Sequence, residues 1–148
     1  MAQVANEMKF EFISKSANES FARATVAAFI AQLDPTISEI ADIKTAISEA
    51  VTNCIVHAYK NGLGNIYISV KIFDNGQVMI KIRDKGCGIE NVNQAMEPLY
   101  TTGGAERAGL GFAVMQSFMD NIKVISKVGK GTTITLMKNI IPRVSKNG

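Results

Sequence analysis

Two long stretches of the chain repeat apolar residues at the spacing of an amphipathic helix. Residues 16–35 carry apolar side chains every three or four positions, and Pro35 ends the pattern. Ser16 or Asn18 is expected to cap this first helix. A second helix is predicted from 36 to 59. Its expected core-facing residues are Ile37, Ile40, Ile43, Ile47, Val51, Cys54 and Ala58.

Five shorter stretches alternate apolar and polar residues, which is typical of half-buried strands. They are residues 8–14, 66–73, 77–83, 121–127 and 132–138. Glycine-bearing turns join the middle two strands and the last two, so each pair predicts a hairpin. A third helix is expected over residues 110–120, preceded by a loop over 89–109 with one short helical turn. Residues 139–148 are expected to form a frayed tail.

The order of these elements predicts the fold class. A strand, two helices, two strands, a loop, a helix and two strands follow one another, so helices are grouped and strands come in hairpins. This arrangement favours an α+β fold, a two-layer sandwich with helices on one face of a mixed sheet. We expect residues 1–148 to form a single domain.

Composition and charge narrow the possible functions. The 148 residues are 47% hydrophobic and 20% charged, enough for one compact domain with a core. The net charge of +3 is spread along the chain without a basic cluster, so we expect no direct nucleic-acid partner. No apolar run approaches the ~20 residues that span a membrane. The N-terminus lacks the apolar core of a secretion signal, and two isolated cysteines suit a reducing compartment, so we expect a cytoplasmic protein.

An acid, an amide and the chain's single histidine recur at four-residue steps in the second predicted helix. Glu49, Asn53 and His57 therefore share one side of it. Taken alone, such a stripe most often faces solvent. In a site, the glutamate would suit a general base, and the asparagine oxygen would suit a magnesium ion that also binds nucleotide phosphates.

Two glycine-bearing segments offer further candidate chemistry. Residues 84–88, "DKGCG", follow a predicted strand and form either a simple turn or a site where Asp84 accepts hydrogen bonds from an exocyclic amine. Residues 101–112, "TTGGAERAGLGF", precede the third predicted helix and form either a surface loop or an anion site at the helix N-terminus. Arg107 could contact a terminal phosphate there. The segment lacks the closing residues of a Walker A motif.

Taken in order, these motifs resemble the GHKL superfamily, which includes gyrases, heat-shock chaperones and histidine kinases. "EAVTN" matches its N box, "DKGCG" its G1 box, and "GLG" with the preceding lid its G2 box. The resemblance implies the Bergerat fold with ATP and magnesium. The chain is most similar to bacterial anti-sigma serine kinases, in particular the sporulation branch that acts on sigma F. The most specific segments are "NESFARATVAAFIAQLDPT", "SEAVTNCIVHAY" and "GTTITL".

This resemblance implies roles for individual residues. Glu49 would be the catalytic base, Asn53 the magnesium ligand, Asp84 the adenine-reading acid, and Arg107 the contact to the γ-phosphate. The residues implied to surround the nucleotide are Asn53, His57, Asp84, Gly86, Gly88, Ile89, Thr101, Thr102, Arg107, Gly109, Leu110, Gly111, Phe112 and Thr132.

The resemblance also implies partners and an activity. Members of the family form homodimers, hold a sigma factor, and use ATP to phosphorylate a serine of an anti-anti-sigma factor. Glu19 and Arg23 match the helix face that they offer to both partners, although their spacing alone predicts only a solvated ion pair. Two alternatives stay open: a non-catalytic binding module that needs nucleotide, and a simple GHKL ATPase.

Overall fold

A computed structural model describes residues 1–96 and 104–141, with the backbone alone for 104–110. Within these ranges the strands are β1 Val4–Ile13, β2 Asn65–Phe73, β3 Gln77–Asp84, β4 Asn121–Lys127 and β5 Gly131–Asn139. The helices are α1 Asn18–Ile30, α2 Ile37–Asn53, α3 Val92–Ala95 and α4 Gly104–Phe118. A 3-10 turn, Ala31–Leu33, follows α1, and a π-helical turn, Cys54–Ala58, follows α2.

The strands form one sheet in the order β1-β2-β3-β5-β4, and all four pairings are antiparallel. The α+β fold class is confirmed, but the prediction of a mixed sheet is wrong. β3 and β4 run in the same direction, yet they are not neighbours. β5 forms a hairpin with β4 and lies between β3 and β4, so both of its neighbours are antiparallel to it.

The core lies between one face of the sheet and the helices. Alternate residues of β2, Ile66 to Ile72, are buried, as the two-residue period of a strand requires. The stripe predicted on the second helix is confirmed at its centre, where Ile43, Ile47, Val51 and Cys54 are at most 1% exposed. It fails at Ile37, which is 88% exposed because it occupies the first helical position, before the helix reaches the sheet.

The helix starts have different causes. Thr36 caps α2 in a capping box: its Oγ1 accepts from the N–H of Glu39 at 3.0 Å, and Glu39 Oε1 accepts from the N–H of Thr36 at 2.8 Å. The cap predicted for the first helix is wrong. Ala17 occupies the N-cap without a side-chain bond, and Asn18 is already the first residue of α1, where its Nδ2 donates to the carbonyl of Ile13 at 2.9 Å.

Three further boundaries differ from the sequence prediction. The second helix does not stay α-helical to Tyr59, because the Tyr59 N–H donates to the Cys54 carbonyl five residues back, at 3.1 Å, and widens the last turn. α4 begins at Gly104, inside the predicted loop. The predicted tail begins later than expected: β5 includes Asn139, and Ile140 is 2% exposed. Residues 142–148 lie outside the described part of the chain.

The outward face of the sheet gathers basic residues that are distant in sequence. Lys9, Ser69, Lys81, Thr135 and Lys123 are consecutive partners across the five strands. No basic cluster was predicted, because strand pairing, rather than sequence proximity, brings these lysines together. No helix in the described ranges is long and apolar enough to cross a membrane.

Candidate nucleotide and catalytic site

Four segments of the fold meet at one small cavity of about 50 Å³. The end of α2 with its π turn, the loop after β3, the start of β5 and the middle of α4 each contribute. The lining residues are Asn53, His57, Ala58, Asp84, Gly88, Ile89, Phe112, Thr132 and Ile134. Seven of these nine were predicted. Ala58 and Ile134 were missed, although Ile134 shares the inward face of its strand with Thr132, two residues before it.

Asp84 is a fixed hydrogen-bond acceptor in the wall of this cavity. It is the last residue of β3 and only 5% exposed. Its Oδ1 accepts from the N–H of Gly86 at 2.9 Å and of Thr132 at 3.2 Å. Burial raises the pKa of Asp84, while hydrogen bonds from Gly86, the Cys54 thiol and Thr132 act in the opposite direction. The carboxylate is therefore held in one orientation before any ligand arrives.

The glycines of the loop after β3 pack against protein backbone. A β-carbon on Gly86 would collide with the carbonyl of Ala58, and one on Gly88, whose φ is +79°, with the carbonyl of Lys127. The Cys87 N–H donates to the Ala58 carbonyl at 3.1 Å. Both glycines were predicted to surround the nucleotide, and the structure places them differently. Gly88 lines the cavity, whereas Gly86 lets the loop close onto the end of α2.

A serine that the sequence reasoning missed braces the same wall of the cavity. Ser126 Oγ accepts from the N–H of Ile89 at 2.7 Å and lies 2.7 Å from the Thr132 hydroxyl oxygen. It also donates to the carbonyl of Gly131 at 3.2 Å. Ser126 is the cross-strand partner of Thr132. The register of the predicted hairpin could have identified it, because directly opposed residues have neighbouring side chains.

Glu49 and Asn53 converge against α4. A β-carbon built on Gly111 would lie 3.2 Å from Asn53 Oδ1 and 3.3 Å from Glu49 Oε1. The predicted polar stripe thus faces another helix at close range. Burial, and secondarily the carboxylate of Glu19, raise the pKa of Glu49. A carboxylate with a raised pKa is a stronger proton acceptor once it is ionised.

Asn53 carries an unmet hydrogen-bonding group. Its Nδ2 is buried and has no hydrogen-bond partner within the ranges that the structure describes. Such an orphaned donor is rare in folded proteins, since leaving it unpaired costs free energy. The side chain therefore offers an oxygen suited to a hard cation and an N–H suited to a phosphate oxygen.

Part of the predicted lid cannot be placed. Thr101 and Thr102 lie outside the described residues. For Arg107, Gly109 and Leu110 the structure gives the backbone alone, within α4. The predicted arrangement of glycines leading into a helix at residue 110 is wrong, because α4 begins at Gly104. The intervening Ala-Glu-Arg-Ala has high helix propensity.

The predicted partner-binding residues lie outside the cavity. Glu19 and Arg23 are on α1, where Arg23 Nη1 contacts Glu19 Oε2 at 3.0 Å. His57, predicted near the nucleotide, lines the cavity on the π turn. A larger depression of about 570 Å³ lies on the outward face of the sheet, and none of the predicted nucleotide residues lines it.

Comparisons with known proteins point to one family. A family model described as a histidine kinase-like ATPase domain matches residues 13–138. An anti-sigma F factor from Caldanaerobacter subterraneus subsp. tengcongensis is 60% identical over 136 residues, which cover 91% of this chain and 94% of that protein. An anti-sigma F factor from Clostridium acetobutylicum is 55% identical over 134 residues, covering 90% and 93%.

A solved structure supports the fold. The crystal structure of the RsbU and RsbW domains of a Mycobacterium tuberculosis protein matches with a TM-score of 0.68 at 21% identity. The match covers 96% of this chain and 35% of that one. At such low identity, the similarity concerns the arrangement of helices and strands.

Proposed function

The chain belongs to the anti-sigma F factors, a family built on the histidine kinase-like ATPase domain, and on that premise we propose that it is a nucleotide-controlled partner switch. It binds and inhibits a sporulation sigma factor of the F type. With ATP it phosphorylates a serine of an anti-anti-sigma factor, which competes for an overlapping surface. The residues of the cavity and of its α4 side carry the phosphoryl transfer.

Asp84 and its braces receive the adenine end of the nucleotide. The buried carboxylate accepts a hydrogen bond from the exocyclic amine, and Thr132 lies opposite it across β3 and β5. Gly88 and Ile89 form the adjoining wall, and His57 contributes from the π turn. Since Asp84 is already held by two backbone amides, little reorganisation is needed when the ring binds.

Glu49 and Asn53 serve the phosphate end. Glu49 accepts the proton of the partner's serine hydroxyl, whose oxygen forms a bond to the γ-phosphorus while the bond to the ADP oxygen breaks. The proton then leaves Glu49 for solvent. Asn53 Oδ1 would hold Mg²⁺, which when bound would neutralise phosphate charge. Its Nδ2, orphaned among the described residues, donates to a phosphate oxygen.

The single observation that carries this proposal is the convergence of Glu49 and Asn53 on Gly111. A general base and an oxygen ligand lie beside one point of α4, and Asp84 lines the same cavity as Asn53. Within the described ranges no three His, Cys, Asp or Glu side chains group to hold a metal. Magnesium would therefore depend on the nucleotide phosphates for most of its ligands, as is usual for this ion.

The test is transfer of the γ-phosphate from radiolabelled Mg·ATP to the anti-anti-sigma factor. Glu49→Gln is expected to lower the transfer rate by roughly 10²- to 10⁴-fold, the usual contribution of a general base, and to leave sigma binding intact. Glu7→Gln, the same change at an exposed position of β1, should transfer phosphate at the wild-type rate. Unchanged phosphorylation by Glu49→Gln would remove that residue from the role.

The same assay separates the two alternatives. If wild-type protein labels no serine on any partner, the chain is a binding module that uses nucleotide only structurally. If it releases phosphate steadily without a protein acceptor, it is a simple ATPase. The position of Glu49 beside Asn53 favours the kinase, because a module without chemistry needs no general base there.

The proposal extends to assembly and location. We expect a homodimer in the cytoplasm, with the sigma factor and the anti-anti-sigma factor docking on the α1 surface that contains Glu19 and Arg23. Light scattering with and without ATP would give the oligomeric state. Arg23→Ala should weaken capture of both partners while leaving ATP affinity unchanged, because Arg23 does not line the cavity.

A further inference from the structure

A three-residue contact joins α1 to α2 beside the proposed catalytic base. Arg23 Nη1 donates to Glu19 Oε2 at 3.0 Å and to Ser48 Oγ at 3.2 Å. The Ser48 hydroxyl in turn donates to the same Glu19 oxygen. Ser48 is separated from the other two residues by 25 and 29 positions, so this is a tertiary contact in addition to the ion pair within α1.

Ser48 directly precedes Glu49 in α2. A movement of Ser48, or of the Glu19 carboxylate bonded to it, is therefore passed directly to the neighbouring residue Glu49, the proposed base. Glu19 acts on Glu49 electrostatically, and after burial its charge is the second cause that raises the pKa of Glu49. The side chains of Glu19 and Arg23 are 24% and 36% exposed, so water screens them only partly.

Among the described side chains of the elements packed against α2, few carry a charge near Glu49. α1 contributes Glu19 and Arg23. The described side chains of α4, from Gly111 to Phe118, include no ionisable group. On the sheet side, Asp84 interacts with Cys54. Within the described residues, Glu19 is thus the charged group positioned to tune Glu49.

We propose that Ser48 is a positioning residue that couples the partner-binding pair Glu19–Arg23 to the base Glu49, so that docking on α1 activates the base. This inference rests on the proposed kinase function. A partner that presents a carboxylate to Arg23 draws the guanidinium away from Glu19. The negative charge of Glu19 is then less neutralised, and Glu49 becomes a stronger base when the acceptor serine is in place.

This coupling would also suppress transfer of the γ-phosphate to water when no partner is bound. Without a docked partner, Arg23 stays bonded to Glu19 and Ser48, and Glu49 is a weaker proton acceptor towards water. Docking and activation of the base therefore occur together. A surface ion pair with no further role would not need a hydrogen bond between each of its residues and the Ser48 hydroxyl on the neighbouring helix.

The first test uses the free protein, without nucleotide or partner. Carbon-13 NMR follows the titration of the Glu49 carboxyl, which is assigned by its loss in Glu49→Gln. We expect a lower titration midpoint in Glu19→Gln and a higher one in Arg23→Gln. Ser48→Ala should lower it less than Glu19→Gln does, because Glu19 is released to solvent but keeps its charge.

A double-mutant cycle makes this test specific. Ser48→Ala should have no further effect in the Glu19→Gln background, because the hydroxyl then has no carboxylate to hold. Ser117→Ala removes a hydroxyl that bonds to the carbonyl four residues back on α4, and should leave the midpoint unchanged. An unchanged midpoint in Glu19→Gln, or equal effects of Ser48→Ala in both backgrounds, would overturn the coupling.

The second test measures phosphorylation of the anti-anti-sigma factor. Ser48→Ala should lower kcat on the order of tenfold, as misplacement of a catalytic group does, with KM for partner and ATP changed by less than about twofold. Ser48→Thr retains a hydroxyl and should restore most of the rate. A pure KM effect would show that Ser48 serves docking alone and would refute its link to Glu49.

The two tests fail independently. The NMR titration needs no ATP and no partner, so it can support the coupling even if the chain proves not to be a kinase. Conversely, a kinase whose Glu49 titrates identically in all variants would keep its proposed function and lose this inference. Urea unfolding of each variant confirms that the compared proteins are folded.

Discussion

Replacing Asn53 with leucine is expected to stabilise the free protein while abolishing its magnesium-dependent affinity for ATP. The two side chains have similar sizes, but leucine has no donor to leave unpaired. Among the described residues, Asn53 Nδ2 is the buried side-chain polar atom without a partner. The Asn53 amide lies against Gly111 of α4, so the leucine side chain would fill space that the amide already occupies.

The magnitude follows from the cost of an unpaired buried group. Leaving a buried donor unsatisfied costs about 1–3 kcal/mol. Removing it should therefore raise the free energy of unfolding by at least about 1 kcal/mol, which corresponds to a Tm increase of roughly 2–4 °C for a domain of this size. With Mg·ATP at about 1,000 times its Kd, the wild type should gain about 4.1 kcal/mol, more than the variant's advantage, and the variant should gain almost nothing.

The assay is urea unfolding with and without Mg·ATP, together with calorimetry of ATP binding. The order of stability should reverse: the variant is more stable alone, and the wild type is more stable with ligand. Asn93→Leu, at an exposed position of α3, controls for the general effect of the substitution and should change stability by less than about 0.5 kcal/mol.

Two results would refute the reasoning. If Asn53→Leu is no more stable than the wild type, the Asn53 amide has a hydrogen-bond partner in the free protein and is not an unpaired donor available to a ligand. If the variant still binds ATP in a magnesium-dependent way, Asn53 is not the metal ligand.

Three further predictions concern the base, its neighbour and a helix cap. Because burial penalises the ionised form of Glu49, Glu49→Gln should be more stable than the wild type above the raised pKa, and this advantage should disappear as the pH falls from the raised pKa to the lower unfolded value. The phosphorylation rate of the wild type should fall over the same range, and flat pH profiles of both stability and rate would contradict the shift. Gly111→Ala should retain or slightly raise thermal stability, since alanine favours helix by about 1 kcal/mol over glycine. It should reduce phosphoryl transfer, because its β-carbon would press on Asn53 and Glu49, and full activity would show that these side chains have room to move. Thr36→Ala should cost about 1 kcal/mol in urea unfolding by breaking the capping box with Glu39, and an unchanged midpoint would mean that the box does not persist in solution.

The family was predictable because its motifs are local. The N box, the G1 box and the glycines near α4 are each read within a few residues, and comparison with relatives confirms the family they indicated. The hairpins β2–β3 and β4–β5 were also predictable, because a two-residue alternation and a glycine turn specify both strands and their register. The individual roles of the site residues stay predictions.

Boundaries were less predictable where tertiary contacts compete with local preference. The π turn at Cys54–Ala58 places the Ala58 carbonyl against the Cys87 N–H, a contact that no helical spacing reveals. Asn18 is a residue type that commonly caps helices, but it is the first residue of α1, and its side-chain amide donates to the Ile13 carbonyl at the end of β1. Gly86 was predicted as a neighbour of the nucleotide, whereas in the fold its missing side chain lets the loop backbone approach the Ala58 carbonyl.

By itself the sequence determined the elements, the class of fold and the candidate chemistry, because these depend on periodicity and on motifs only a few residues long. The tertiary structure alone decided which distant residues meet. It placed β5 between β3 and β4, joined Ser48 to Glu19 and Arg23, and aligned lysines across the outer face of the sheet. The physical reason is that strand order and helix packing are set by burial of the whole core, which brings together side chains that no local pattern connects.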